Sequence, residues 1–184
     1  MRANSPTTPT GTAAKIRGMR TTANSRFLVA VPSLSDLFFF SILMWLIGPR
    51  NAGWAGLLGD CDTGWHIRTG DWVLAHGAVP KVDLFSFSKA GQPWFAWEWL
   101  TDVLFSILHS AAGLKGIVLF AAMVLCAVGW LVLREAVRES GNGFAALGVA
   151  LISTGAASVH FLARPHIVTM LLLAVAMMLI RADR

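Results

Sequence analysis

Charged residues are scarce in this 184-residue chain: 14 % of positions are Asp, Glu, Lys or Arg, against 55 % hydrophobic. A soluble domain averages about a quarter charged residues, so the composition excludes an ordinary water-facing globule. The mean hydropathy is +0.62, and long apolar runs with few charges mark membrane helices. Cysteine is scarce as well. Cys61 sits in a polar stretch and Cys126 in the middle of an apolar run, at different depths, which argues against a disulfide framework. Neither has metal-site spacing to another cysteine. Acidic residues are missing from positions 1–32, which hold Arg2, Lys15, Arg17, Arg20 and Arg26. No internal repeat occurs, and no A-x-A-like cleavage site follows the first apolar segment. The net charge of +5 forms no stripe on a folded domain, which argues against nucleic acid as a partner.

What is present falls into an ordered series along the chain. Residues 1–26 are rich in Ser, Thr, Pro, Ala and Arg without apolar periodicity, and read as a disordered basic cytoplasmic tail. Residues 27–184 form a membrane domain. Its spans fall at about 33–49, 116–133, 144–162 and 167–180. The first begins near Ser33 or Ser35, with Asp36 suited to a helix N-terminus. Its apolar part is shorter than the ~20 residues of a straight span, and "WAGLLG" at 54–59 is available to complete it. The third is rich in small residues, as helix-packing faces in membranes are. With the tail inside, "REAVRES" and "RADR" are also inside, and these three segments carry nine Lys/Arg, in agreement with the positive-inside rule. The loop at 50–102 and "ARPH" at 163–166 then share the opposite, outer face.

The outer loop carries four basic and six acidic residues and six of the eight tryptophans: Trp54, Trp65, Trp72, Trp94, Trp97 and Trp99. Tryptophan favours the headgroup level, so the loop is expected to lie on the membrane surface. Trp65, Thr69, Trp72 and His76 recur at i, i+4, i+7 and i+11, one stripe of a helix over about Asp62–His76, which Gly77 and Pro80 end. "LFSFSKAGQPW" reads as a short extended pair around Gly91. "WEWLTDVLFSILHSAAG" starts a second surface helix that runs to about 112, with Trp99, Val103, Ser106 and Ser110 on one side and Leu100, Leu104, Ile107 and Leu108 on the other. The expected fold class is an all-α membrane protein of about four transmembrane helices, with a long outer loop containing two surface-lying helices.

The chemistry concentrates in "GDCDTGWHIRTGDW", residues 59–72. Asp62 and His66 are i, i+4 neighbours on one helix face, with Asp60 just before the first turn. Two carboxylates and an imidazole suit a divalent cation, or one carboxylate suits a general base towards a hydroxyl. Arg68, Arg164 and His166 suit a phosphate, arginine being its bidentate partner. Each feature alone also has a plainer reading. Asp60 or Asp62 suits a helix cap, Trp65 and Trp72 suit surface anchors, Glu98 and Asp102 at i, i+4 suit a solvated edge, and Arg164 suits a snorkelling contact to lipid phosphate. The clustering on one side of the membrane favours a functional role.

The stretch "GDCDTGWHIRTGDWVLAHGAVPKVDLFSFSKAGQPWFAWEWL" resembles the first outer loop of a bacterial group of polytopic membrane proteins similar to the integral-membrane (type C) glycosyltransferases. The likeness covers about residues 34–180 and is most specific over 59–100. It implies an inner-membrane glycosyltransferase with a polyprenyl-phosphate sugar donor and an acceptor outside the cytoplasm. It implies that Asp60 and Asp62 match the acidic catalytic pair, which takes the acceptor's proton or helps to place a cation such as Mg or Mn. By the same likeness His66, Arg68 and Glu98 are substrate-binding, and Arg164, in a short "ARPH" element with His166, meets the lipid phosphate. Type C enzymes usually have many more spans, so a truncated frame, a fragment and half of a split assembly with a further membrane subunit are all expectations that remain open. The alternative function is a non-catalytic membrane protein whose Trp-rich loop binds lipid or a partner subunit.

Overall fold

A computed structural model describes residues 32–48 and 53–183 of the chain. The basic tail at 1–26 lies outside the described residues. Those described are helical apart from their connections, with no strand among them. Six α-helices follow in order: α1 (Leu34–Ile47), α2 (Gly53–Leu57), α3 (Asp62–His76), α4 (Trp99–Ser140), α5 (Gly143–Ala157) and α6 (His166–Ala182), with a 3₁₀ turn at Ser158–His160 between the last two.

The central element is α4, which packs against α1, α3, α5 and α6. It is 42 residues long but broken at Gly113, whose φ of 64° and ψ of −159° are non-helical. The part after the break alone is about 40 Å long, enough for a hydrocarbon core of about 30 Å. Among the described residues, two helical segments are long and apolar enough to cross a membrane, Trp99–Ser140 and Gly143–His160. The 14 residues of α1 and the 17 of α6 form shorter apolar helices: the first is shorter than the segment expected at 33–49, the second slightly longer than that expected at 167–180.

Burial follows one face of each helix. Helix α1 turns Phe38, Ile42 and Leu46 inward, the i, i+4, i+8 stripe of a single face. At the crossing with α4 the partner residue is Gly129, where an added Cβ would fall 2.4 Å from Ile42 Cδ1. Helix α5 approaches through Ala146 and Ala150, both fully buried, and the small side chains let the two backbones come close. The opposite faces carry large apolar side chains outward: Phe40 and Met44 on α1, Phe144 and Ile152 on α5, Leu172, Leu173 and Leu179 on α6. So large an apolar surface is what a membrane or a partner would cover.

Helix α5 begins where Asn142 Oδ1 accepts hydrogen bonds from the amides of Phe144 (3.0 Å) and Ala145 (3.2 Å). Helix α3 occupies the predicted range and ends at Gly77, which is left-handed and donates its N–H to the Val73 carbonyl. Next comes the predicted extended pair. A single antiparallel bridge joins Val82 to Pro93, flanked by hydrogen bonds from Asp83 N–H to Gln92 O (2.8 Å) and from Trp94 N–H to Lys81 O (3.0 Å). Trp65 of α3 meets the rings of Phe85 and Trp94 edge-on, which fastens this hairpin to the helix.

Polar side chains gather at both ends of the bundle. At one end, the loop between α5 and α6 meets α2 and the start of α3: Ala163 donates its N–H to Leu57 O (2.7 Å), and Thr63 Oγ1 donates to Ala163 O (3.0 Å). At the other, Arg181 of α6 contacts Glu135 (2.9 Å) and Glu139 (3.0 Å) on α4.

Candidate functional site

The first element is a guanidinium between two carboxylates. Arg164 Nε lies 2.6 Å from Asp60 Oδ2, and Nη2 lies 2.9 Å from Asp62 Oδ2. The Nε–Oδ2 contact is close but poorly aligned, and neither of these two atoms has a well-aligned hydrogen-bond partner among the described residues. Asp60 turns its other oxygen to the Asp62 amide at 3.0 Å, so it also caps the first turn of α3. Arg164 is placed by Pro165, which precedes α6, and by the backbone bonds of Ala163. The residues from 60–62 and 163–166 therefore meet, although a hundred positions separate them. Nη1 of Arg164 has no partner among the described residues.

The second element lies one turn further along α3. His66 Nδ1 is 2.7 Å from Asp102 Oδ1. The Asp102 side chain is 3 % exposed, which corrects the reading of Asp102 as a solvated edge. Burial pushes its carboxyl above the ordinary range, the hydrogen bond and charge of His66 pull it back, and the nearby Glu98 adds to the rise. The approach is possible because α3 presents Gly70 to α4. A Cβ there would fall 2.0 Å from the Asp102 carbonyl oxygen and 2.8 Å from Ser106 Cβ. Ser106, also buried, donates to Asp71 Oδ1 at 2.6 Å. The buried face of the first part of α4 is thus Asp102, Phe105 and Ser106, while Leu100 and Ile107 face outward.

The remaining candidates are more dispersed. Arg68 points outward, 73 % exposed, and its ion-pair partner is Asp71 at 3.9 Å rather than an acid of the Arg164 cluster. Glu98 is exposed at the start of α4, where its carbonyl accepts the amides of Thr101 and Asp102. His166 Nε2 donates to the His160 carbonyl at 2.6 Å and so closes the turn that carries Arg164. Cys61 and Cys126 are both free. In the loop, Asp83 accepts hydrogen bonds from the Ser86 hydroxyl and from the Ser86 and Phe85 amides, which hold its carboxyl below the usual carboxylate range.

A divalent cation at Asp60 and Asp62 needs further oxygen or nitrogen donors. No group of three or more His, Cys, Asp and Glu side chains converges there or elsewhere among the described residues, and the carboxylate oxygens turn towards Arg164. As arranged, Asp60 and Asp62 pair with Arg164 rather than with further cation donors. The residues missed by pattern reading are Asp102, Asp71 and Thr63. The spacing that held the signal is polar: His66 and Gly70 on α3 face Asp102 and Ser106 on α4, each pair at i, i+4. No protein-family model, no curated protein and no solved structure matches the chain.

Proposed function

We propose that this chain is a membrane glycosyltransferase-like protein that moves a sugar from a polyprenyl-phosphate donor to an acceptor outside the cytoplasm. In this reading the chain lies in a bacterial inner membrane with about four membrane passages, its basic tail inside and the acid-rich loop outside. The sequence likeness over 59–100 supports the reading. The observation that carries it is the meeting of Arg164 with both acids of the D-x-D stretch at one end of the bundle.

Sugar transfer builds positive charge at the sugar carbon and releases a phosphate anion. A carboxylate at Asp60 or Asp62 stabilises the first, and an arginine stabilises the second. Arg164 keeps Nη1 open for a phosphate oxygen while its other nitrogens stay with the aspartates. Glu98, Arg68 and His166 then contribute to substrate binding around this centre rather than to the reacting atoms. The test is transfer from a radiolabelled polyprenyl-phosphate sugar in membranes that contain the chain. Asp60→Asn, Asp62→Asn and Arg164→Lys are each compared with wild type. At least one aspartate variant is expected to lose about a hundredfold in rate, and wild-type rates in all three would end the proposal.

The second reading, a non-catalytic membrane protein whose Trp-rich loop binds lipid or a partner subunit, draws on a different observation. Two carboxylates already neutralise Arg164, as in a structural clamp, while Trp97 and Trp54 stand exposed. Absence of transfer by the wild type together with loss of stability in Arg164→Lys would favour it.

A further inference from the structure

Outside the Arg164 cluster, Asp102 is the buried carboxylate among the described residues, and its partner is one imidazole. A buried carboxylate costs free energy unless it is paired and hydrogen-bonded, and a link between α3 and α4 already exists in Asp71–Ser106. The dyad of His66 and Asp102 therefore invites a chemical role. Asp102 meets Nδ1, the nitrogen nearer the backbone. When the carboxylate is ionised, Nδ1 must carry the proton, and the lone pair is left on Nε2. The imidazole is 15 % exposed, and Nε2 makes no hydrogen bond among the described residues. Phe105 lies edge-on to the ring and limits its rotation. His66 is one helical turn, about 5.4 Å, beyond Asp62, the residue that Arg164 holds.

We propose that Asp102 is a positioning residue that fixes the His66 tautomer, and that His66 Nε2 takes the proton of the acceptor hydroxyl. This rests on the sugar-transfer reading and names the base for it. The acceptor O–H bond breaks and its proton goes to Nε2. The acceptor oxygen forms a bond to the anomeric carbon. The bond between that carbon and the phosphate oxygen breaks, with its electron pair left on the polyprenyl phosphate beside Arg164. The imidazolium, stabilised by Asp102, then returns its proton to water. The division of labour leaves Asp60 and Asp62 free to face the positive charge at the sugar carbon.

The experiment uses the full chain in lipid nanodiscs with ¹⁵N-labelled histidine, the His66 resonances being assigned by their loss in His66→Gln. The expected spectrum shows a protonated Nδ1 and an unprotonated Nε2 at neutral pH. Asp102→Asn can donate its amide to Nδ1 and is expected to invert the tautomer, at wild-type helix content by circular dichroism, and to cut transfer about a hundredfold. Asp102→Glu is expected to restore the tautomer and part of the rate. A wild-type His66 protonated on Nε2, or a tautomer indifferent to Asp102→Asn, would overturn the inference. So would full transfer by His66→Gln, and that result would leave the sugar-transfer reading intact. Inversion of the tautomer in a chain whose wild type transfers no sugar would support Asp102 as the residue that fixes the tautomer, and would overturn both the sugar-transfer reading and the role of His66 as its base.

Discussion

Arg164 reaches both carboxylates that flank Cys61, at 2.6 Å from Asp60 and 2.9 Å from Asp62. One guanidinium thereby joins the start of α6 to the start of α3. The three side chains are partly exposed, so solvent screens the attraction.

A double-mutant cycle measures this link. Arg164→Ala and Asp60→Asn are each expected to destabilise the fold, and the double variant to do so by less than the two effects together. The coupling should be about 1 kcal/mol, the upper range for partly exposed pairs. Unfolding in mixed micelles with increasing denaturing detergent supplies the values, and a coupling near zero would show that the cluster does not hold the two segments together.

Gly70 and Gly64 lie on the same helix and should respond in opposite directions. A methyl group at Gly70 collides with backbone of α4, which cannot yield cheaply, so Gly70→Ala should cost about 3 kcal/mol. Gly64 has nothing within 4 Å of an added Cβ, so Gly64→Ala should stabilise by about 0.5 kcal/mol through helix propensity. The same unfolding assay compares them.

Asp102 gives a pH dependence of definite sign. Its carboxyl is raised by burial in the folded chain, so between the ordinary aspartate value of about 3.9 and the raised one the unfolded chain holds fewer protons. Stability therefore falls as pH rises through that window and levels off above it. His66 and Glu98 are the titratable groups that face Asp102. Thermal unfolding of wild type and Asp102→Asn between about pH 3.5 and 5.5, below the usual imidazole range, should show wild type losing stability relative to the variant as pH rises. Parallel curves would contradict the burial of a titrating carboxyl.

Asn142 offers a local test of the α4–α5 corner. Its side chain accepts two amides at the start of α5. Asn142→Ala should cost about 1 kcal/mol and Asn142→Asp much less, read from the midpoint of unfolding.

Local signals in the sequence were informative where local chemistry decides the structure. The Trp65–Thr69–Trp72–His76 stripe and the Gly77 stop place α3 at Asp62–His76, because a helix end needs only its own turn and a left-handed residue. The extended pair around Gly91 and the acidic first turn at Asp36 are local in the same sense. The first half of α4 is different. Its leucines and isoleucine were one side of the expected surface helix and the edge acids another, yet the acid Asp102 is sealed while Leu100 and Ile107 are exposed. The rule that apolar means inward loses its force when apolar surface has another place to go and when two helices meet through polar stripes. The contacts of Arg164 were legible as a shared face, from the alternation of apolar runs. Its pairing with both aspartates depends on backbone bonds at Ala163 that no spacing in the sequence encodes.

Gly113 divides α4 at a backbone conformation that a side chain with Cβ rarely adopts. The forward segment is seated on α3 through Asp102 and Ser106, and the rear segment on α1 at Gly129 and on α6 at Glu135. The two segments therefore take different partners, and the break between them falls at one residue that has no Cβ.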